Sequence, residues 1–219
     1  MVGIAAYGIA LIATIPASLV FKNRPWRNGV AGTVWNGEVG LTGGNAVRWR
    51  WAPLRSLTSL GLAADWRMTG PDTDLGGRAL AGFSGLTLDK VSGSGNASLL
   101  GAIQQNLPFT CDFSEQIEME KMVVGGGSRM LQGQVVSDPG SCRPRDAGAA
   151  TALPSLILIA EKIGTETRIR VAPAAQRRKI LINATLQEDG ALDVGVTPEG
   201  AEMMPFLGAR AGMHIQGRM

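Results

Sequence analysis

After Gly29, apolar and polar positions alternate through much of the chain in short runs separated by glycine-rich turns. The clearest example is Gly29 to Trp51, reading GVAGTVWNGEVGLTGGNAVRWRW. Trp35, Gly37, Val39 and Leu41 share one parity, while Asn36, Glu38, Gly40 and Thr42 share the other. This is the period-two signature of a strand with one buried face. Val47, Trp49 and Trp51 then oppose Arg48 and Arg50, with Thr42-Gly43-Gly44-Asn45 between the runs as a turn. The reading is a hairpin built around indoles, in which tryptophans serve the core and the faces of Asn36, Glu38, Arg48 and Arg50 are left for contact.

The same alternation resumes further on. Leu62, Ala64, Trp66 and Met68 oppose Ala63, Asp65, Arg67 and Thr69, before a turn at Gly70-Pro71-Asp72. Leu86 and Leu88 begin another run, and Ser92-Gly93-Ser94-Gly95-Asn96 reads as a turn. Ile117 to Val136 reads as two strands about Gly125-Gly126-Gly127-Ser128. No Gly-Lys-Ser/Thr follows that glycine run, so a hairpin is favoured over a phosphate loop. Pro53 to Leu60 is a short helical or irregular connection with Pro53 at its first helical position. Pro154 to Ile163 fits either a short helix or a buried strand. Strands follow around Ile169 to Val171, Ile180 to Gln187 and Leu192 to Val196, and the residues after Pro205 read as a loose tail. With no βα alternation, the body is expected to be mainly β and mostly antiparallel, with one or two short helices.

A different pattern precedes Gly29. Val2 to Phe21 holds no charged residue, and about twenty such positions suffice for a hydrocarbon core ~30 Å thick. The run lacks the basic start and the Ala-x-Ala end of a cleaved signal peptide, and it lacks the polar face of a surface helix. A single transmembrane helix is therefore expected, ended or kinked by Pro16, with Trp26 at the interface. The division is an anchor and flank over 1–27, a β-rich domain over 28–206 and a tail over 207–219. Lys22, Arg24 and Arg27 after the span would by themselves hold the body in the cytoplasm.

Composition narrows the function classes. Of 219 residues, 45% are apolar and 18% charged, with a formal net charge of +3. That is too small and too dispersed a charge for a nucleic-acid surface. Cys111 and Cys142 are the only cysteines; one pair fits a disulfide in an oxidising compartment, with two buried thiols as the alternative. The single histidine, His214, falls in the expected tail, and zinc ligation would need more Cys and His than the chain has. Asp72 with Asp74, Glu115 with Glu118, and Glu188 with Asp189 read as solvated pairs. No enzyme, cofactor or metal site is expected.

Gly32-Thr33-Val34-Trp35-Asn36-Gly37, followed by Trp49-Arg50-Trp51-Ala52-Pro53 and preceded by a span with Pro16-Ala17, resembles the type II secretion system protein N family. Gly82 to Leu88 extends the likeness, which covers roughly the first hundred residues. The resemblance implies a single-pass protein of the bacterial inner membrane whose bulk is periplasmic, overriding the basic flank. It implies a non-enzymatic accessory or assembly part of the machine that exports folded proteins, in contact with other secretion components. It also implies a curved sheet with an exposed apolar side, so a lipid-handling protein with an apolar groove is the alternative. Gly32, Trp35, Gly37, Trp49, Trp51 and Pro53 are carried over as fold-defining positions, and no catalytic residue is carried over.

Overall fold

Among the described residues, thirteen strands pair into one antiparallel sheet whose order follows the sequence except for three strands, which leave it to form a small second sheet. A computed structural model describes residues 7, 10–11, 13–19, 27–41, 44–83, 85–97, 99, 107–125, 128–146, 148–208 and 212–218. The first part of the large sheet comprises β1 (Arg27–Gly32), β2 (Asn36–Leu41), β3 (Ala46–Trp51), β4 (Leu62–Gly70), β5 (Thr73–Gly82) and β6 (Gly85–Asn96), with helix α1 (Pro53–Thr58) between β3 and β4. It continues through β8 (Ser114–Val124), β9 (Met130–Ser137), β12 (Leu156–Ile163), β13 (Glu166–Pro173), β14 (Ile182–Gln187), β15 (Ala191–Val196) and β16 (His214–Arg218). The small sheet is β7 (Phe109–Asp112), β10 (Gly140–Pro144) and β11 (Thr151–Leu153), with helix α2 (Pro198–Met203) following β15.

Directly opposed residues in antiparallel strands share a face, so the registers trace one continuous surface. Val39 lies between Val30 and Val47, Trp49 opposes Trp66, and Met68 opposes Leu75. Beyond these, Ala79 opposes Leu88, Leu88 opposes Met122, and Ile117 opposes Val135. The row then runs Val135, Leu158, Val171, Ile182 and Val196. The opposite face carries the charge: Glu38–Arg48, Arg67–Asp74 and Glu161–Arg170 pair across neighbouring strands at 2.6–2.7 Å.

The sheet bends where strands take extra residues. Against Gly77 of β5, β6 offers Lys90 and Val91, with Lys90 at φ 51°, and Glu120 of β8 is extra relative to β9. Stacked bulges of this kind raise local twist and turn the strand direction. Farther along, the apolar face folds inward. Leu131 N–H donates to Thr167 Oγ1 at 3.3 Å, and Arg129 N–H to the Glu188 carbonyl at 3.0 Å, so β9 meets the β13 to β15 side past the end of β12.

Several expectations change. Helical residues Tyr7, Ala10, Leu11 and Ala13 are followed by Thr14, whose N–H reaches the Ala10 carbonyl, and the helix then stops. Pro16 disfavours helical backbone at Ile15; the Ile15 carbonyl instead accepts from Val34 N–H at 3.0 Å and Pro16 bridges to Thr33. No helix among the described residues is long and apolar enough to cross a membrane. Ala17–Leu19 form a single 3-10 turn; the remaining residues of the expected span, with Lys22, Arg24 and Trp26, lie outside the described residues, as do Thr42 and Gly43 of the first turn.

Ser92 to Asn96 is strand rather than turn, and its glycines serve close approach. At φ 141°, a Cβ on Gly93 would run into the Asp74 carbonyl. Within residues 154–163 the strand option holds, as β12 (Leu156–Ile163), and the expected tail contributes β16 at one sheet edge.

Candidate functional site: the apolar face and its two ends

The residues of the opening motif converge on one turn. Gly32 has φ 85°, and a Cβ there would sit 2.5 Å from the Asn36 carbonyl oxygen. Only glycine fits so tight a left-handed position. Thr33 N–H donates to the Asn36 carbonyl at 2.8 Å, and Asn36 N–H donates to Thr33 Oγ1 at 3.2 Å. Gly37 opposes Trp49 and leaves room for its indole, whose Nε1 donates to the Val34 carbonyl at 3.1 Å. Trp35 and Trp51 lie 4.7 Å apart, centroid to centroid, and Pro53 opens α1.

These indoles are not a sealed core. Trp35 and Trp49 are half-buried and Trp51 is exposed, because they line the sheet's end instead of its middle. The proposed contact residues do share the polar face: Asn36 opposes Arg50, and Arg48 Nε bonds Glu38 Oε2 at 2.7 Å. That ion pair is solvated, so it contributes little to stability.

One end of the apolar face is capped. Cys142 directly opposes Cys111 in the small sheet, and the two form a disulfide. Around the bridge, Leu153, Leu181, Met204 and Phe206 make a buried cluster, and Phe109 meets Phe206 edge to face at 5.1 Å. Leu156 and Ile182, both on the apolar face, pack against this cluster. Thr197 caps α2, its Oγ1 accepting from Gly200 N–H at 3.0 Å while donating to the Ile180 carbonyl at 2.8 Å. Gly200 has no room for a side chain, since a Cβ would collide with the Leu181 carbonyl. Helix, small sheet and large sheet are thus locked together.

Glu115 was expected in water and is instead buried, 7% exposed, at this same end of the apolar face. It stands opposite Gly95 and Ser137. Burial raises its carboxyl above the ordinary value, because desolvation penalises the charged form. Alternation at Glu115, Ile117 and Met119 already assigns it to the apolar parity.

Among the described residues, the other end of the strands is open and apolar. Leu62 opposes Ala81, Ala81 opposes Leu86, and Leu86 opposes Val124. Leu62, Leu86 and Val124 are all exposed, and Leu54, Leu57, Leu60 and Phe83 project from the adjoining connections. Sequence reading passed over these residues, although Leu54 and Leu57 at helical spacing without a covering partner were the available signal.

The polar face holds a hollow of about 810 Å³ over the bulges, lined by residues including Glu118, Glu120 and Glu161. Each carboxylate is already engaged: Gln134 Nε2 donates to Glu118 at 2.8 Å, Gln132 Nε2 to Glu120 at 2.6 Å, and Arg170 to Glu161 at 2.7 Å. Among the described residues no three His, Cys, Asp or Glu side chains are grouped to hold a metal ion. His214 lies in β16, its Nδ1 3.1 Å from Asp193 Oδ1. No family model, no curated protein and no solved structure matches the chain.

Proposed function

We propose that the protein is a non-enzymatic component of the bacterial cell envelope that works by holding an apolar partner along its sheet. The observation that carries this reading is the apolar face that continues across the large sheet, capped at one end and open at the other among the described residues. A one-sided sheet must cover its apolar face, and an uncovered rim of this kind marks an interaction surface. The disulfide supports an oxidising compartment, in keeping with a body in the periplasm. The opening turn, which joins the apolar N-terminal segment to the sheet, favours an accessory role in type II secretion with that segment as a single inner-membrane span. Co-purification or cross-linking with inner-membrane platform or secretin components is the test. Recovery of the chain alone, under conditions that keep the secretion complex intact, overturns it.

The shape of the face favours a second reading, in which the occupant is a lipid acyl chain. Mass spectrometry of gently purified protein should then find stoichiometric phospholipid, and its repeated absence excludes that occupant.

A further inference from the structure

The α1 connection is built inside out. Its polar residues face the sheet: Ser56 Oγ accepts from Trp51 Nε1 at 2.8 Å and from Ala63 N–H at 2.9 Å, and Arg55 bonds Asp65 at 2.6 Å. Its leucines face outward, with Leu54 at 79% and Leu57 at 74% exposure. A helix beside water shows the reverse arrangement. Just beyond, Leu60 is held at φ 48° and is 82% exposed, and Phe83 on the β5–β6 turn is fully exposed. Leu60 and Phe83 line a common hollow of about 230 Å³, so they form one patch. A bulky residue held in the left-handed region and then presented outward is a recognised mark of function.

A second observation says what covers this patch. The apolar N-terminal segment joins the sheet at the same end, through the Ile15 carbonyl on Val34 N–H and the Pro16–Thr33 bridge. Trp35 and Trp51 stand beside it, and indoles favour the boundary between lipid and water. The far end of β4 and β5, the strands that flank this patch, carries a polar turn with Asp72 exposed.

We propose that the end of the sheet bearing Leu54, Leu57, Leu60 and Phe83 is a bilayer-docking tip. It enters the interface of the membrane that the N-terminal segment occupies, and turns the open end of the apolar face toward the acyl chains. This rests on reading that segment as a membrane anchor, but not on which partner the face holds.

The test reconstitutes the full chain into phosphatidylethanolamine–phosphatidylglycerol vesicles with an environment-sensitive probe on Phe83→Cys, Leu60→Cys or Asp72→Cys. Spin-labelled lipid should quench the probes at 83 and 60 several-fold more strongly than the probe at 72. Equal quenching at the three sites overturns the proposal. So does a probe at 83 that lipid cannot quench while Phe83→Cys chains cross-link to one another, since a second copy then covers the patch. The unaltered chain provides an independent readout: hydrogen exchange over 54–61 and 81–86 should slow in vesicles relative to amphipol, while 70–73 stays unchanged. Failure to find secretion partners or bound phospholipid would leave these outcomes intact, so the two ideas fail separately.

Discussion

The two ends of the sheet solve the same problem in opposite ways. Each presents apolar residues at strand termini, where the ladder stops and the backbone must turn. At the capped end, three short strands, a helix and a disulfide are folded over Leu156 and Ile182, and Leu181 and Cys142 are wholly shielded from water. At the open end, a helix of similar length turns its leucines outward and hands its serine and arginine to the sheet. Among the described residues, the chain therefore covers an apolar edge at one end and leaves the other bare. Stability is concentrated where the cap lies, and the proposed docking where it does not.

That contrast can be broken most strongly at the cap. Reducing the disulfide, or replacing Cys111 and Cys142 by serine, should cost about 3–4 kcal/mol on the chain-entropy account of a loop of this size. Phe206→Ala, which empties the cluster centre, should cost about 3–5 kcal/mol. Denaturant unfolding with and without reductant measures both, and a shift below about 1 kcal/mol in either case would show that the cap is ornamental.

The opening turn lies between the extremes. Gly37→Val drives a side chain into the Trp49 ring and should cost about 1–3 kcal/mol. Trp35→Ala, at a half-buried indole, should cost about 1–2 kcal/mol, well short of the loss at a sealed core position. Chemical denaturation of the two variants side by side ranks them, and a larger loss for Trp35 than for Phe206 would invert the comparison.

Glu115 sharpens the comparison through pH. Its folded-state pKa is raised by burial, so its contribution to stability is full below the unfolded value and lost as pH rises through the folded value. Glu115→Gln should therefore raise Tm at about pH 7 and leave it unchanged at about pH 4. Equal Tm at both pH values would show that the carboxyl is hydrated.

The smallest expected effect is at the open end. Leu57→Ser and Phe83→Ser remove side chains that touch solvent, so folding stability should move by no more than about 0.5 kcal/mol. A loss comparable to that of Phe206→Ala would mean that these residues are core after all.

How far the chain could be read depended on whether a residue's role was local. Alternation in Asn36–Leu41, Ala46–Trp51 and Leu62–Gly70 was legible because side chains on a strand change face at every step. The turn at Gly32 was legible because its geometry admits little else. β5 was not, since Gly76 and Gly77 interrupt its pattern, and these glycines earn their place only against β4 and β6. Likewise, Ser92 to Asn96 has turn composition, yet Gly93 is small because the Asp74 backbone passes beside it.

By itself, the sequence determined that this is a two-faced antiparallel protein opening on a tryptophan turn, because period and turn chemistry are encoded over a few residues. Only the tertiary structure decided that Cys111 meets Cys142, that residues 156–163 are a strand, that Glu115 is buried and that the leucines of α1 are not. Each depends on which segments lie across from one another, and burial is a property of that arrangement rather than of any residue within it.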